Sequence, residues 1–156
     1  MLLLFLLQTL QSFVFFIPAF AIQVYAGYLN PILGPMIIYI SFILSNLYLF
    51  KKLPKLQIVN KWFNQNHTII HQYKIIFTIP IIPNIIKPYI AKHNNLTTKQ
   101  FLKQLTYTNV PTILLSTIIG GCIFYKNYSL AIILSIFYAL LILFSFIYLF
   151  LKSKKR

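Results

Sequence analysis

All 14 charged side chains of this 156-residue chain are Lys or Arg, and not one residue is Asp or Glu. A soluble globular domain carries roughly a quarter charged residues, of both signs. Here 9% of residues are charged and 59% hydrophobic, and the mean hydropathy is +0.78. A charge at the centre of a bilayer costs about 2.5–3.5 kcal/mol on insertion scales. Long uncharged runs punctuated by lysine therefore predict an integral membrane protein. The missing carboxylates also argue against an enzyme, because no acidic side chain can serve as general acid, general base or metal ligand.

The net charge of +14 raises the question of nucleic acid. A nucleic-acid binder gathers its basic residues on one folded face. Here they separate apolar segments, and the largest group is the tail at residues 152–156, which holds Lys152, Lys154, Lys155 and Arg156. That arrangement suits anionic headgroups and the positive-inside rule, so no nucleic-acid partner is expected. By the same rule the C-terminus lies inside, in a bacterial cytoplasmic membrane or alternatively an organelle inner membrane.

Residues 2–22 are apolar apart from Gln8, Thr9, Gln11 and Ser12. Ala19-Phe20-Ala21 has the form of a cleavage site, but no basic residue precedes the run. The segment is expected to stay and to break at Pro18. Gly27, Pro31, Gly34 and Pro35 interrupt the next stretch. The uncharged run 36–50 is short for a span of about 20 residues, so the crossing is expected to begin in the preceding turn. Residues 54–73 place apolar side chains at helical spacing and predict an amphipathic helix on the membrane surface; around Asn64–Thr68, where polarity peaks, the alternative is a solvated connecting loop. The apolar stretch 75–91 is broken by Pro80, Pro83 and Pro88 and predicts a re-entrant segment; the alternative is a kinked ordinary span. Thr97 and Gln100 form a capping-box pattern that should start a helix. Apolar spans follow at 105–125, with Pro111 inside, and at 128–151, as a helical hairpin.

Ile17-Pro18 with Ala26-Gly27 echoes Ile82-Pro83 with Ala91-Lys92 at the same spacing. Each broken segment precedes a long helix, and the two enter from opposite sides in the topology above. Broken helices in inverted repeats are a transporter pattern. The predicted fold class is an all-α integral membrane protein of transmembrane helices plus two Pro-containing re-entrant hairpins in an inverted-repeat arrangement. It forms a single membrane domain.

Across residues 8–125 the chain resembles the DedA or VTT-domain family, also called SNARE-associated Golgi proteins. The resemblance rests on Pro18 to Gly27 with Gly34, on Ile79-Pro80-Ile81-Ile82-Pro83-Asn84 with Ala91, on Leu96 to Phe101, and on Pro111 followed by Gly120. It implies two opposed re-entrant hairpins and the movement of lipids across the bilayer, as carriage of polyprenyl phosphate or scrambling of phospholipid. The chain departs from the family where relatives keep acids. Ala19, Phe20 and Ala21 stand near the first loop proline, and Asn84 and Ile85 follow the second loop's Pro83. An arginine that commonly precedes the second loop is absent; Phe77 and Thr78 lie there, with Lys74 a turn earlier. Ala91-Lys92 replaces an Ala-Gly pair.

Lysine at membrane depth is a functional candidate by default, which singles out Lys87; the alternative is that its stem snorkels to the interface. Asn84, Gln23 and Lys74 are further headgroup candidates, although Asn84 and Gln23 could instead satisfy broken backbone. His67 and His71 share a helical spacing, but no carboxylate completes a metal site, so neither metal nor cofactor is expected. Gly120-Gly121 predicts a close helix contact. The expected partners are membrane lipids, anionic phospholipid or polyprenyl phosphate, with self-association into an oligomer left open. Two alternatives stand beside lipid transport. One is a structural subunit of a larger membrane complex, organelle-encoded as the Ile-, Phe-, Asn- and Lys-rich usage allows. The other is a degenerate DedA relative without transport.

Overall fold

A computed structural model describes residues 1–14, 18–52, 84 and 86–154. These residues form six helices: α1 (Leu2–Phe13), α2 (Ala19–Leu29), α3 (Leu33–Lys52), α4 (Ile86–His93), α5 (Thr98–Phe124) and α6 (Tyr128–Lys154). Three of them, α3, α5 and α6, are long and apolar enough to cross a membrane. The protein is therefore helical over its described residues and suited to a bilayer. The predicted surface helix at 54–73, Lys74, Pro80 and Pro83 lie outside the described residues.

Local chemistry explains where the helices start and stop. Val14 is extended and ends α1, and Pro18 precedes α2 with φ −71° and ψ 111°. The break expected at Pro18 is present. Asn30 turns the chain into α3: its Oδ1 accepts from the backbone N–H of Ile32 (3.0 Å) and Leu33 (2.8 Å). Side-chain capping of this kind satisfies donors that a helix start leaves orphaned. Pro35 was expected to interrupt the chain, yet it lies inside the first turn of α3. There its missing N–H costs nothing. The helix thus gains the residues that the run 36–50 lacked. Its 20 residues span about 30 Å, the thickness of the hydrocarbon core.

Asn95 takes a left-handed conformation with φ 52°. The Leu96 N–H then donates to the Ala91 carbonyl (3.0 Å), and the Asn95 N–H to that of Lys92 (3.1 Å). This double closure ends α4, and Asn tolerates the left-handed position. The α5–α6 turn repeats the device, with Lys126 at φ 58° and the Asn127 N–H donating to the Cys122 carbonyl at 2.8 Å. The expected capping box opens α5: the Gln100 N–H donates to Thr97 Oγ1, and the Thr97 N–H to Gln100 Oε1. Pro88 sits in the first turn of α4, while Pro111 lies within α5.

Phe50 stacks on Phe101 with ring centroids 4.6 Å apart, and Tyr39 meets Thr106 through their hydroxyls at 3.1 Å. The two contacts set α3 and α5 antiparallel. Their buried faces correspond in order. Ile38, Phe42, Ser45, Asn46 and Phe50 are buried on α3, and Phe101, Leu105, Thr108, Asn109 and Ile113 on α5. Helix α2 crosses α5 at backbone contact. A Cβ on Gly120 would collide with the Val24 carbonyl oxygen, and one on Gly27 with that of Thr117. The close contact predicted at Gly120 is therefore present, and small residues at such crossings let apolar helices pack without a hydrophobic drive from lipid. Helix α6 is peripheral. Only 11% of its most apolar stretch is buried, against 44% for α3 and α5, and it meets the bundle through Ala131 and Tyr138.

Candidate headgroup site

The interior between α1, α3, α4 and α5 is polar where an apolar core would be expected. Lys87, Asn84, Asn109, Gln8, Gln11, Ser12, Ser45 and Asn46 are all buried. In a helix bundle meant for lipid, such residues face inward because outward placement would strand them in hydrocarbon.

Lys87 is 1% exposed, so its stem does not snorkel to a surface. The second residue of α4, it points its Nζ at Asn109 on α5. The ammonium donates to Asn109 Oδ1 at 2.7 Å and lies 5.6 Å from the centre of the Phe42 ring, within cation–π range. Asn109 cannot turn away. Its Nδ2 donates to the Leu105 carbonyl (2.9 Å) and to Thr108 Oγ1 (2.8 Å), which leaves Oδ1 for the lysine. An ammonium carries three donors, and among the described residues one is used. Neither an amide dipole nor a ring face neutralises a charge. Burying an ammonium is costly unless an anion pairs with it, and this sequence has no acidic side chain to offer.

Asn84 Nδ2 donates to Gln11 Oε1 at 3.0 Å, and Gln8 Nε2 donates to the same oxygen at 3.0 Å. The Ser12 and Ser45 hydroxyls meet at 2.7 Å and tie α1 to α3. Gln23 is placed elsewhere, between α2 and α5, where its Oε1 accepts from the Ser116 hydroxyl at 2.6 Å. The structure therefore brings Lys87 and Asn84 to one interior and leaves Gln23 apart from it. Asn84 Nδ2 and Gln23 Oε1 each bond a side chain rather than loose backbone. Gln8, Gln11, Ser45, Asn46 and Asn109 were not singled out from the sequence. A signal was present: polar residues recur three or four apart inside otherwise apolar helices, at 8, 11 and 12 on α1 and at 41, 45 and 46 on α3. That spacing puts them on one helical face.

An open apolar groove runs beside this interior, lined by Pro35, Met36, Tyr39, Val110, Ile113 and Leu114. No family model, curated protein or solved structure matches the chain. Function must therefore be argued from the site itself.

Proposed function

We propose that the protein moves phosphate-bearing lipid headgroups across the bilayer, in the manner of the DedA-like proteins it resembles. One observation carries the reading: Lys87 is a buried lysine in a chain that has no acidic side chain. An anion that pairs with it would favour its charged form, and in a membrane the abundant anion is lipid phosphate. Lys87 is the binding cation, Asn109 positions it, and Asn84 with Gln11 lines the polar interior. The groove of Met36, Tyr39 and Val110 gives acyl chains an apolar track while the headgroup sits inside. Without carboxylates the movement follows lipid gradients rather than side-chain protonation.

Short α2 precedes α3 and packs chiefly on α5, short α4 precedes α5 and packs chiefly on α3, and α3 and α5 run antiparallel; this reciprocal arrangement supports two re-entrant units in inverted repeat. The substrate is an anionic phospholipid or polyprenyl phosphate, and the C-terminus lies on the inner side of the membrane. The broad apolar face of α6 favours a second reading, that of a packing subunit within a larger complex, because it would suit a protein neighbour as well as lipid.

Liposomes carrying the purified protein and a labelled phospholipid separate the two. The wild-type chain is expected to accelerate headgroup flipping over protein-free vesicles, and Lys87→Ala to lower the excess rate about tenfold, the worth of a charge-assisted hydrogen bond. An unaccelerated rate with correctly folded wild-type protein would sink the transport reading and favour the subunit.

A further inference from the structure

Two buried amide oxygens, Gln8 Oε1 and Asn46 Oδ1, accept no hydrogen bond among the described residues. Both residues are fully buried. Native interiors pair most such atoms, and each exception calls for a physical account. Neither amide can be relieved by turning it over. Gln11 Oε1 already accepts from Gln8 Nε2 and Asn84 Nδ2, so a reversed Gln8 would face oxygen with oxygen. Asn46 Nδ2 is held by the Phe42 carbonyl at 2.9 Å, so Oδ1 is the atom left over. The local donors are committed as well, since Ser12 and Ser45 bond each other and backbone carbonyls.

Short chains of contacts link the two oxygens to the lysine. Asn46 is one turn beyond Phe42, the ring beneath Lys87. Gln8 is linked through Gln11 to Asn84, whose carbonyl accepts from the Lys87 N–H at 3.2 Å. Asn46 on α3 is also the counterpart of Asn109 on α5. Each directs Nδ2 to the carbonyl four residues before it at 2.9 Å. On Asn109 the remaining oxygen takes the lysine; on Asn46 it takes nothing from the protein.

We propose that Gln8 Oε1 and Asn46 Oδ1 are the hydroxyl-reading half of the headgroup site, so that the protein selects phospholipids with a polyol headgroup such as glycerol. The inference rests on the reading of Lys87 as the phosphate partner. A neutral amide oxygen accepts from a hydroxyl without bringing another cation beside Lys87. An ethanolamine group would bring one, and choline has no N–H or O–H donor at all. A glycerol phosphodiester instead supplies one net negative charge for Lys87 and hydroxyls for the two oxygens.

The test compares dioleoyl lipids on the purified full chain in detergent, with binding followed by native mass spectrometry. Phosphatidylglycerol and phosphatidylmethanol carry the same phosphodiester charge and differ in the headgroup hydroxyls. The glycerol lipid is expected to bind about tenfold more tightly, the worth of one or two well-placed hydrogen bonds. Asn46→Leu and Gln8→Met, on separate helices, should each shrink that gap, read as the ratio of the two lipid affinities within each variant. Equal wild-type affinities would overturn the inference, as expected if water alone satisfies the two oxygens, and would leave the phosphate reading standing. Binding of neither lipid would overturn both. Soluble glycerophosphoglycerol binding as tightly as the lipid would overturn the assignment to a lipid.

Discussion

Replacing Asn109 by Asp is expected to lower headgroup flipping about tenfold or more in a protein that still folds. The change keeps the side chain's size and puts a carboxylate where Asn109 Oδ1 now accepts from Lys87 Nζ at 2.7 Å, while the Nδ2 bonds to the Leu105 carbonyl and Thr108 Oγ1 are lost. Lys87 would gain an internal counter-ion, the first acidic side chain in the sequence. A lysine paired within the fold has little left to offer a phosphate. The direction distinguishes binding from mere structure. If Lys87 only braces α4 against α5, the ion pair keeps that brace, and flipping should persist wherever the variant melts no lower than the wild type. Flipping that persists at the wild-type rate in a protein at least as stable would refute the role given to Lys87. Detergent-state melting and the liposome assay, run on the same preparation, read both quantities.

The second large effect concerns the crossing of α2 and α5. Gly120→Ala is expected to destabilise the protein by about 1–3 kcal/mol, as overpacking does in close-packed interiors. The added Cβ would meet the Val24 carbonyl oxygen and the Tyr28 backbone nitrogen, and neither can swing aside as a side-chain tip would. Gly121 supplies the internal control. A Cβ there finds Pro31 Cβ at 3.4 Å, an ordinary contact, so Gly121→Ala should change stability by no more than about 0.5 kcal/mol. The two substitutions have identical chemistry and adjacent positions. Equal melting temperatures would show that α2 does not cross α5 at backbone contact through Gly120.

These two sites differ in how far the residues disclosed them. Helix ends were legible because their causes are local. The Thr97–Gln100 capping box, the break at Pro18 and the turn before Tyr128 each depend on a few neighbouring residues. Pro35 misled for a related reason: proline stops a helix from within but fits its first turn, and only the Asn30 cap shows which position it holds. Lys87 was legible as a charge in an apolar stretch. Asn109 was not, since its importance comes from facing Lys87 across two helices, and the sequence separates them by the whole α4–α5 turn. The same holds for Gln11 with Asn84 and Ser12 with Ser45. Those pairings follow from tertiary packing, for which helical spacing indicates a shared face but names no partner.

In the proposed function, lipid phosphate pairs with the buried ammonium of Lys87. Solid-state NMR of protein reconstituted in phosphatidylglycerol, with ¹⁵N at the lysine Nζ, measures the dipolar coupling to lipid ³¹P directly. Other lysines at the membrane surface also meet phosphate, so the difference between wild-type and Lys87→Gln spectra isolates the site. One strongly coupled, buried Nζ signal is expected in the wild type and should be missing from the variant. A Lys87 signal with no ³¹P coupling would contradict it.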